Sequence, residues 1–376
     1  MFRIVGHGGI DLDTAPDTTL RIGVMPGDGI GPEIVPEAVA VMSAAVEAES
    51  APALVFDDVP VGWSAYLEHG NTLPPGTIER LAGFDGLILG PINHAAYPSS
   101  PDCSNPHPII RKRLDLFANL RPARTFSGAR SLHDGVDLVV VRENNEDFQP
   151  DRNMIAGCGE FQATEESAYS IRVITRRQSE RIAKTAFDLA GHRRRRVTVI
   201  HKKTVFKITD GLFFDSVVRV ANDHPDVELT DEHVDTAAMR LVMTPENFDV
   251  VLCPNLYGDI ISDLAAGLVG GLGMVPGLSA GDDIAMAQAT HGSAPDLAGQ
   301  DLANPCAMVL SGRLLLEWLA TKHADDRLRR AAGRIERAVA DVLEEGKWVT
   351  PDLGGDATTS EMGNAIVRGC RLAADG

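Results

Sequence analysis

The amino-acid sequence predicts an α/β protein built from two domains, and two observations support this prediction. Short apolar runs typical of buried strands alternate with longer amphipathic runs typical of helices. The chain has 376 residues, whereas one domain usually takes roughly 150. That length can bury a sizeable core, so a small scaffold held together by disulfides is excluded.

The first elements are expected in the following order. RIGVMPGDGIGPE reads as a strand, a Gly/Pro loop and the start of a helix that runs to about Glu49. Buried strands are predicted in ALVFDDV and FDGLILG, and again in VDLVVV, VTVI and FDVVLCPN. Residues 92–108 are rich in Pro, Ser, Asn and His and are predicted to form a loop. A loop of this length near strand ends is a functional candidate.

The remaining segments are predicted to be mostly helical. Helical periodicity is found at about 178–191, 210–222 and 234–244, and in the long stretches 303–322 and 325–346. GDIISDLAAGLVGGLG begins as a helix and ends in glycines, which indicates a hinge. The N-terminal segment MFRIVGHGGIDLDTAPDTTL lacks the long apolar core of a signal peptide and is interpreted as a poorly ordered lead-in.

The charge balance and the cysteines exclude several classes of protein. The chain has 53 Asp and Glu against 35 Lys and Arg, a formal net charge of −18, which disfavours nucleic-acid and anionic-membrane partners. The arginine run 193–196 is therefore interpreted as a solvated turn. Five widely spaced cysteines without a CxxC pair argue against a disulfide framework or a thiolate zinc site. With no apolar run of roughly 18 residues, we expect a cytoplasmic location.

The glycine loop after the first strand has the sequence Pro26-Gly27-Asp28-Gly29-Ile30-Gly31. Its glycines lie at alternate positions, so it matches neither the GxGxxG fingerprint nor a Walker sequence. Two interpretations stay open at this point. The loop is either a turn that needs positive φ, or a place where the backbone approaches a cofactor closely.

Three arginines are candidates for binding an anionic ligand. Arg111 and Arg121 lie in IIRKRLDLFANLRP, and Arg142 follows three valines in VVVREN. A guanidinium at the end of a buried parallel strand is placed where α/β proteins bind ligands. Converging arginines recognise carboxylates through paired hydrogen bonds. Surface salt bridges are the alternative interpretation.

Three aspartates are candidates for a metal site. Asp259 and Asp263 in GDIISD are four residues apart, so a helix would place both carboxylates on one face. Their mutual repulsion needs solvent or a cation to offset it. Asp235 lies upstream, next to another helical run. Oxygen ligands suit Mg²⁺ or Mn²⁺ better than zinc. The alternative has Asp259 as a helix N-cap and Asp263 on a solvated face.

Two further segments carry candidate chemistry. Lys202 follows a predicted strand in VTVIHKKTVF, where a lysine beside a cleft can carry a proton. His201 is interpreted as a packed, structural histidine. In HGSAPDLAG, residues 291–299, small residues would let the backbone approach a ligand, and Asp296 could accept hydrogen bonds from a ribose diol. A plain Pro/Gly loop is the alternative.

Taken together, these segments resemble the β-decarboxylating dehydrogenases, the isocitrate and 3-isopropylmalate dehydrogenase family. The resemblance rests on PGDGIGPE, RKRLDLFANLRP, VVVREN, HK, FDVVLCPNLYGDIISD and HGSAPDLAGQDLANP, in this order. It covers the chain from about Arg21 to Ala373. It implies a doubly wound sheet without the Rossmann fingerprint, and a homodimer whose active sites are shared between subunits.

The resemblance also implies a division into domains. A discontinuous large domain of residues 1–116 and 270–376 would contain the cofactor-binding loop 292–304. A small domain of residues 117–269 would contain the dimer contacts, the metal site and the catalytic lysine. The expected ligands are a small dicarboxylate or tricarboxylate substrate, NAD, and Mg²⁺ or Mn²⁺.

Site residues follow from the resemblance position by position. Lys202 matches the catalytic lysine. The substrate-binding positions match Arg111, Arg121 and Arg142, with His107 facing the C3 substituent. The metal ligands match Asp259 and Asp263 of one subunit and Asp235 of its neighbour. The cofactor contacts match Asn255, His291, Gly292, Ser293, Ala294, Asp296, Leu297 and Asn304. An aspartate at 296 favours the two ribose hydroxyls of NAD and repels a 2′-phosphate.

The chain departs from the family pattern at several positions. The usual RENTEGEY-like segment reads RENNEDFQ here, so Gln149 takes the place of the catalytic tyrosine. An amide cannot supply a proton by ionising, so final protonation would use water or another group, or the enzyme would only oxidise. Thr204 replaces an asparagine, and Gln288 stands where many relatives have a glutamate. His107 suits a polar or anionic C3 substituent better than isopropyl.

The sequence thus predicts NAD- and metal-dependent oxidation of a 3-substituted (R)-malate with a polar substituent, accompanied by decarboxylation. Tartrate or D-malate oxidation is the alternative within the same class. A non-catalytic regulatory subunit of a hetero-oligomeric dehydrogenase is the alternative from another class.

Overall fold

The computed structural model describes residues 19–149 and 158–372. The described strands are β1 (Leu20–Met25), β2 (Leu54–Asp58), β3 (Gly86–Leu89), β4 (Ala118–Arg124), β5 (Asp137–Glu143), β6 (Glu160–Thr164), β7 (Ser167–Ser170), β8 (Arg196–His201), β9 (Glu228–His233), β10 (Val250–Cys253), β11 (Leu278–Ala280) and β12 (Ala285–Ala287). The described α-helices are α1 (Gly31–Ala48), α2 (Trp63–His69), α3 (Thr77–Leu81), α4 (Pro106–Arg113), α5 (Arg176–Gly191), α6 (Thr209–Ala221), α7 (Val234–Met243), α8 (Asn255–Leu268), α9 (Cys306–Lys322), α10 (Asp326–Glu345) and α11 (Thr359–Arg371).

One mixed sheet of ten strands runs through the molecule in the order β2-β1-β3-β12-β11-β4-β5-β10-β8-β9. The four strands at each end are parallel to one another. In the middle, β11 and β4 pair antiparallel with each other and with their outer neighbours. β6 and β7 form a separate two-stranded hairpin. The sheet crosses both predicted domains, and their exact division stays a prediction.

Both faces of the central strands are covered, as a doubly wound sheet requires. In β5, Val139 and Val141 point into the largest apolar cluster, which includes residues of α1, α5 and α9. The alternate residues Leu138 and Val140 point into a second cluster with residues of α7 and α8. This alternation explains why β5 reads as an unbroken apolar run, and the predicted fold class is confirmed.

The predicted helices agree with the structure to within a few residues, but one loop prediction is wrong in part. Residues 92–108 were expected to form a loop, yet α4 begins at Pro106. Asn105 caps this helix by accepting a hydrogen bond from the His107 backbone N–H, and proline fits the first helical position. Helix-starting residues are also typical loop residues, which explains the error.

The arginine run 193–196 lies in the turn that leads into β8, as expected, with Arg194 and Arg195 exposed, but its side chains also form ion pairs. Arg193 bonds to Asp137 and Asp249, and Arg196 pairs with Glu228. These ion pairs connect the start of β8 to the starts of β5, β9 and β10. The predicted N-terminal lead-in lies outside the described residues, except for its end. No helix in the described part of the chain is long and apolar enough to cross a membrane.

Candidate active site

The candidate site lies where parallel strands of the second half of the sheet end. Arg142 is the second-last residue of strand β5, opposite Cys253 at the end of β10. Asn255 opens α8 immediately after β10, and Lys202 follows β8 directly. Carboxyl ends of neighbouring parallel strands meet at one edge of a sheet, which is the usual ligand site of α/β proteins.

Arg142 is buried against the first turn of α8. Its Nε and Nη2 donate to Asn255 Oδ1 at 3.1 and 2.6 Å, and its Nη1 pairs with Asp259. A Cβ at Gly258 would lie 2.7 Å from the Arg142 Cγ, so only glycine lets the helix approach this closely. The guanidinium is thereby held in one orientation beside the Asp259 carboxylate.

Arg121 reaches the same helix from β4. Its Nη1 donates to Ser262 Oγ at 2.7 Å and lies 3.3 Å from Asp259 and 3.6 Å from Asp263. Burial lowers the pKa of this guanidinium, and the two carboxylates act against that change. Arg121 and Arg142 therefore converge on Asp259, as expected for arginines that bind a common ligand.

Asp259 and Asp263 lie on one face of α8, and the α-helix predicted for them is confirmed. Their side chains are 48% and 57% exposed. Partial burial raises the pKa of Asp263, with repulsion from Asp259 adding to the effect. Two exposed carboxylates one turn apart form an all-oxygen donor set, which fits part of the coordination shell of a hard divalent cation.

Asp235 is not brought to these two carboxylates within the chain. Across residues 19–149 and 158–372, no group of three or more His, Cys, Asp or Glu side chains could hold a metal ion. Asp235 lies in the first turn of α7, where its Oδ1 accepts from Lys202 Nζ at 2.5 Å. This hydrogen bond lowers the pKa of the Asp235 carboxyl. Lys202 and Asp235 thus form a pair of their own.

His201, next to Lys202, is the packed histidine that was expected. It is fully buried, and its Nε2 lies 2.8 Å from Asp231 Oδ2. Burial lowers its pKa despite this contact. The side chain fixes the end of β8, from which Lys202 projects.

Arg111 and His107 both lie on α4, four residues apart and hence on one face. Arg111 is buried, and its Nη2 lies 3.3 Å from the Oε1 of Gln288, the residue that follows β12. His107 is half-buried. The predicted substrate histidine and arginine are therefore neighbours, and Gln288 contacts the arginine directly.

The predicted cofactor residues divide into two groups. A cavity of about 520 Å³ is lined by residues of the 291–304 segment together with Ile30, Leu272, Gly273, Pro351 and Asp352. The predicted residues lining it are His291, Gly292, Ala294, Leu297 and Asn304. Asp296 is exposed beside it. Asn255 lies elsewhere, against Arg142, so it joins the arginine cluster instead of this cavity.

The glycine loop packs against this predicted cofactor segment. Gly29 has φ +58°, and a Cβ there would lie 2.0 Å from the carbonyl oxygen of Ser293. The next residue, Ile30, donates its backbone N–H to the same oxygen at 2.9 Å. The interpretation as a turn with positive φ is confirmed, and its role is close packing between two backbone segments.

Comparison with known proteins agrees with this arrangement. A family model described as isocitrate/isopropylmalate dehydrogenase matches residues 21–366. The chain belongs to this family. It is 42% identical over 354 residues to the isocitrate/homoisocitrate dehydrogenase of Thermus thermophilus, covering 92% of this chain and 97% of the relative. It is 38% identical over 351 residues to the 3-isopropylmalate dehydrogenase of Methanothermobacter thermautotrophicus, covering 93% and 98%.

Solved structures agree as well. The crystal structure of isocitrate dehydrogenase from Methylococcus capsulatus superposes with a TM-score of 0.80 at 39% identity, covering 94% of this chain and 100% of that one. The family predicted from the motifs is thereby confirmed, and the chain is a member of a dehydrogenase family.

Sequence reasoning missed a group of buried residues next to the site. Asp147 and Asp210 are fully buried and both pair with Arg172. The family segment offered a signal, because Asp147 stands where the RENTEGEY pattern has glycine. The nearby acids Glu143 and Glu146 were also missed. Burial raises the pKa of Glu143 to about 7, and that of Glu146 to about 8.

Proposed function

We propose that this chain catalyses the NAD- and divalent-metal-dependent oxidation of a 3-substituted (R)-malate, followed by decarboxylation. One observation supports this most directly. The buried guanidinium groups of Arg121 and Arg142 converge on Asp259, next to a second half-exposed carboxylate, Asp263. Such a site offers both cationic donors for substrate carboxylates and oxygen ligands for a cation.

In this proposal the arginines bind and orient the substrate. Arg121 and Arg142 would each donate paired hydrogen bonds to a carboxylate, with Arg111 contributing from α4. A divalent cation on Asp259 and Asp263, when bound, would lower the pKa of the 2-hydroxyl and polarise the ketone formed from it. Lys202 would accept the hydroxyl proton as hydride passes from C2 to the nicotinamide. The bond between C3 and the carboxylate β to the ketone would then break, releasing CO₂ and leaving its electron pair in an enolate. Because Gln149 cannot supply a proton by ionising, water or another group would protonate this enolate.

We propose a homodimer with shared active sites, in which Lys202 and Asp235 serve the neighbouring subunit. Their separation from Asp259 and Asp263 within one chain favours this arrangement. The large domain would comprise 1–116 and 270–376, the small domain 117–269. We also propose a cytoplasmic location, consistent with five cysteines that lack CxxC spacing.

NAD is the proposed cofactor because Asp296 is exposed beside the 520 Å³ cavity. Its carboxylate can accept hydrogen bonds from two ribose hydroxyls and would repel a 2′-phosphate. The proposed C3 substituent is polar, since His107 lies on the same face of α4 as Arg111.

The decisive experiment measures NADH formation and CO₂ release from the purified chain with Mn²⁺. The substrate panel is isocitrate, homoisocitrate, 3-isopropylmalate, tartrate and D-malate, each with NAD and with NADP, and Lys202→Met is the matched inactive control. We expect NADH and CO₂ in equal amounts from a malate with a polar substituent. NADH without CO₂ would refute decarboxylation. Binding of NAD without turnover of any substrate would favour the regulatory-subunit alternative.

A further inference from the structure

A buried arginine lies behind the candidate site, between two carboxylates. The Arg172 side chain is 5% exposed, and its Nε and Nη1 pair with Asp147 and Asp210, both fully buried. The ring centroids of Phe148, Phe206 and Tyr257 lie 5.2–5.3 Å from the Cζ atom of the Arg172 guanidinium. Removing this cation would leave two carboxylates buried without compensation, so the group is held firmly together.

Each carboxylate also accepts a hydrogen bond from a backbone N–H at the edge of the site. Asp210 Oδ2 accepts from the Lys202 backbone N–H at 2.5 Å. Asp147 Oδ2 accepts from the Leu256 backbone N–H at 2.8 Å, in the first turn of α8. Arg172 thus connects two backbone segments through one carboxylate on each side. One segment is at Lys202, which follows β8, and the other is the start of α8, the helix that carries Asn255 and Asp259.

The backbone at Asp147 is strained to make this link. Its φ is +81°, a left-handed conformation that favours glycine. A non-glycine residue in this region carries a free-energy cost, which persists only where the surroundings enforce it. The carboxylate is the part of Asp147 that glycine lacks, and it makes the contacts to Arg172 and Leu256 described above.

We propose that Arg172 is a positioning residue that couples the two halves of the shared active site. One half is Lys202, presented to the neighbouring subunit. The other is the first turn of α8, which serves the chain's own site. This inference rests on the proposed function for the direction in which Lys202 acts. The link between the two backbone segments rests on the contacts alone.

The test combines amide hydrogen exchange with steady-state kinetics on the full chain. Asp147→Gly suits φ +81° and removes the carboxylate that links Arg172 to Leu256, while Arg172 keeps its pair with Asp210, so the variant should fold. We expect exchange at Leu256 to accelerate at least tenfold, since its charged acceptor is lost. Asp210→Asn should instead accelerate exchange at Lys202, and Arg172→Met should accelerate both. The exposed Arg177, at the start of α5, supplies the control Arg177→Met, which should change neither.

The kinetic readout distinguishes positioning from general stability. We expect kcat to fall about tenfold or more in Asp147→Gly and Arg172→Met, with substrate KM changed less than threefold, and Arg172→Lys should recover part of the loss. Unchanged exchange at both amides in Arg172→Met would overturn the link. Faster exchange with unchanged kcat would overturn the positioning role. If the unmodified chain turns over no substrate, the proposed function fails, while the exchange data still decide whether the link exists.

Discussion

Two arginine–carboxylate groups flank the first turn of α8, and they differ in one property. In the group that we name the open group, Arg121 and Arg142 contact Asp259 and Asp263, whose side chains are 48% and 57% exposed. In the closed group, Arg172 contacts Asp147 and Asp210, which are fully buried. The same chemistry is therefore accessible to ligands in the open group and enclosed in the closed group.

The exposure of the acid explains the different roles. A half-exposed carboxylate keeps part of its water, so a cation or a ligand can replace that water at moderate cost. A fully buried carboxylate depends on its protein partners for all of its stabilisation, and breaking the pair is strongly destabilising. The open group is consequently suited to binding, and the closed group to holding backbone segments in place.

The largest effect is expected from removing the arginine that α8 packs against. Arg142→Met should lower kcat/KM about 1,000-fold, roughly 4 kcal/mol, because it removes the buried charge that we propose orients the substrate. Stability should fall by no more than about 2 kcal/mol, since Asp259 regains water while Asn255 loses a donor. Steady-state kinetics and urea unfolding measure both quantities.

The closed group supplies the contrast for this variant. Arg172→Met should cost about 3–5 kcal/mol of unfolding free energy, because both of its acids are enclosed. Arg124→Met, at an exposed arginine of the same strand as Arg121, is the control and should leave kcat/KM within twofold. A larger stability loss in Arg142→Met than in Arg172→Met would contradict the distinction between the two groups.

The open group could be predicted from the sequence because the local pattern around its residues indicates a ligand site. Arg142 ends a run of valines, and Asp259 and Asp263 have helical spacing, so charge and periodicity together point to a ligand site. The closed group could not be predicted in this way, since Arg172 lies 25 residues from Asp147 and 38 from Asp210. Nothing local pairs them, and only the tertiary fold brings the three together.

The long elements of the fold could be predicted from the sequence, whereas several short ones could not. Strands such as β5 and β10 are continuous apolar runs, and helices such as α10 have a wide apolar stripe, so local pattern suffices. β11 and β12 have only three residues each, too few to show a period. α4 was not predicted, because the asparagine and proline at its start favour both a helix cap and a loop.

The next largest effect concerns the cation. EDTA should abolish activity and Mn²⁺ should restore it. At a concentration of 100 times Kd, Mn²⁺ should stabilise the protein by about 2.7 kcal/mol, measured as a rise in melting temperature. Asp259→Asn should lose most of this stabilisation. The matched Asp147→Gly variant should keep it, because the closed group offers no exposed oxygen. Turnover in the absence of metal, or equal losses in both variants, would count against a cation at the open group.

A smaller effect is expected at the cofactor cavity, where the carboxylate is exposed and not paired with a buried arginine. Asp296→Lys should lower kcat/KM with NAD by about 10–100-fold more than with NADP, since the lysine attracts a 2′-phosphate and no longer accepts from ribose hydroxyls. Melting temperature should be unchanged, as Asp296 lies at the surface. Measured NAD:NADP efficiency ratios that match the unmodified chain would rule out Asp296 as the discriminating residue.

The last comparison tests a third kind of acid, one that is buried but accepts hydrogen bonds from a threonine instead of an arginine. Glu146 is 7% exposed, and it accepts from the backbone N–H and the hydroxyl of Thr175 at 2.7 and 2.8 Å. Burial, followed by repulsion from Glu143, raises its pKa to about 8. In the unfolded chain a glutamate has a pKa of about 4.3. Between these values the folded protein therefore binds a proton that the unfolded chain has released.

The free energy of unfolding should consequently decrease as pH rises from about 5 to 8, by up to about 1.4 kcal/mol per pH unit for one such proton. Glu146→Gln has no proton to release, so its decrease should be shallower, although Glu143 still contributes. Urea unfolding at pH 5.5, 6.5 and 7.5 measures the slopes, with the exposed Glu166→Gln as control. Equal slopes of unfolding free energy against pH for the Glu146→Gln variant and the unmodified chain would show that Glu146 is ionised in the folded state. In that case the threonine contacts would stabilise a buried charge, as arginine does in the closed group.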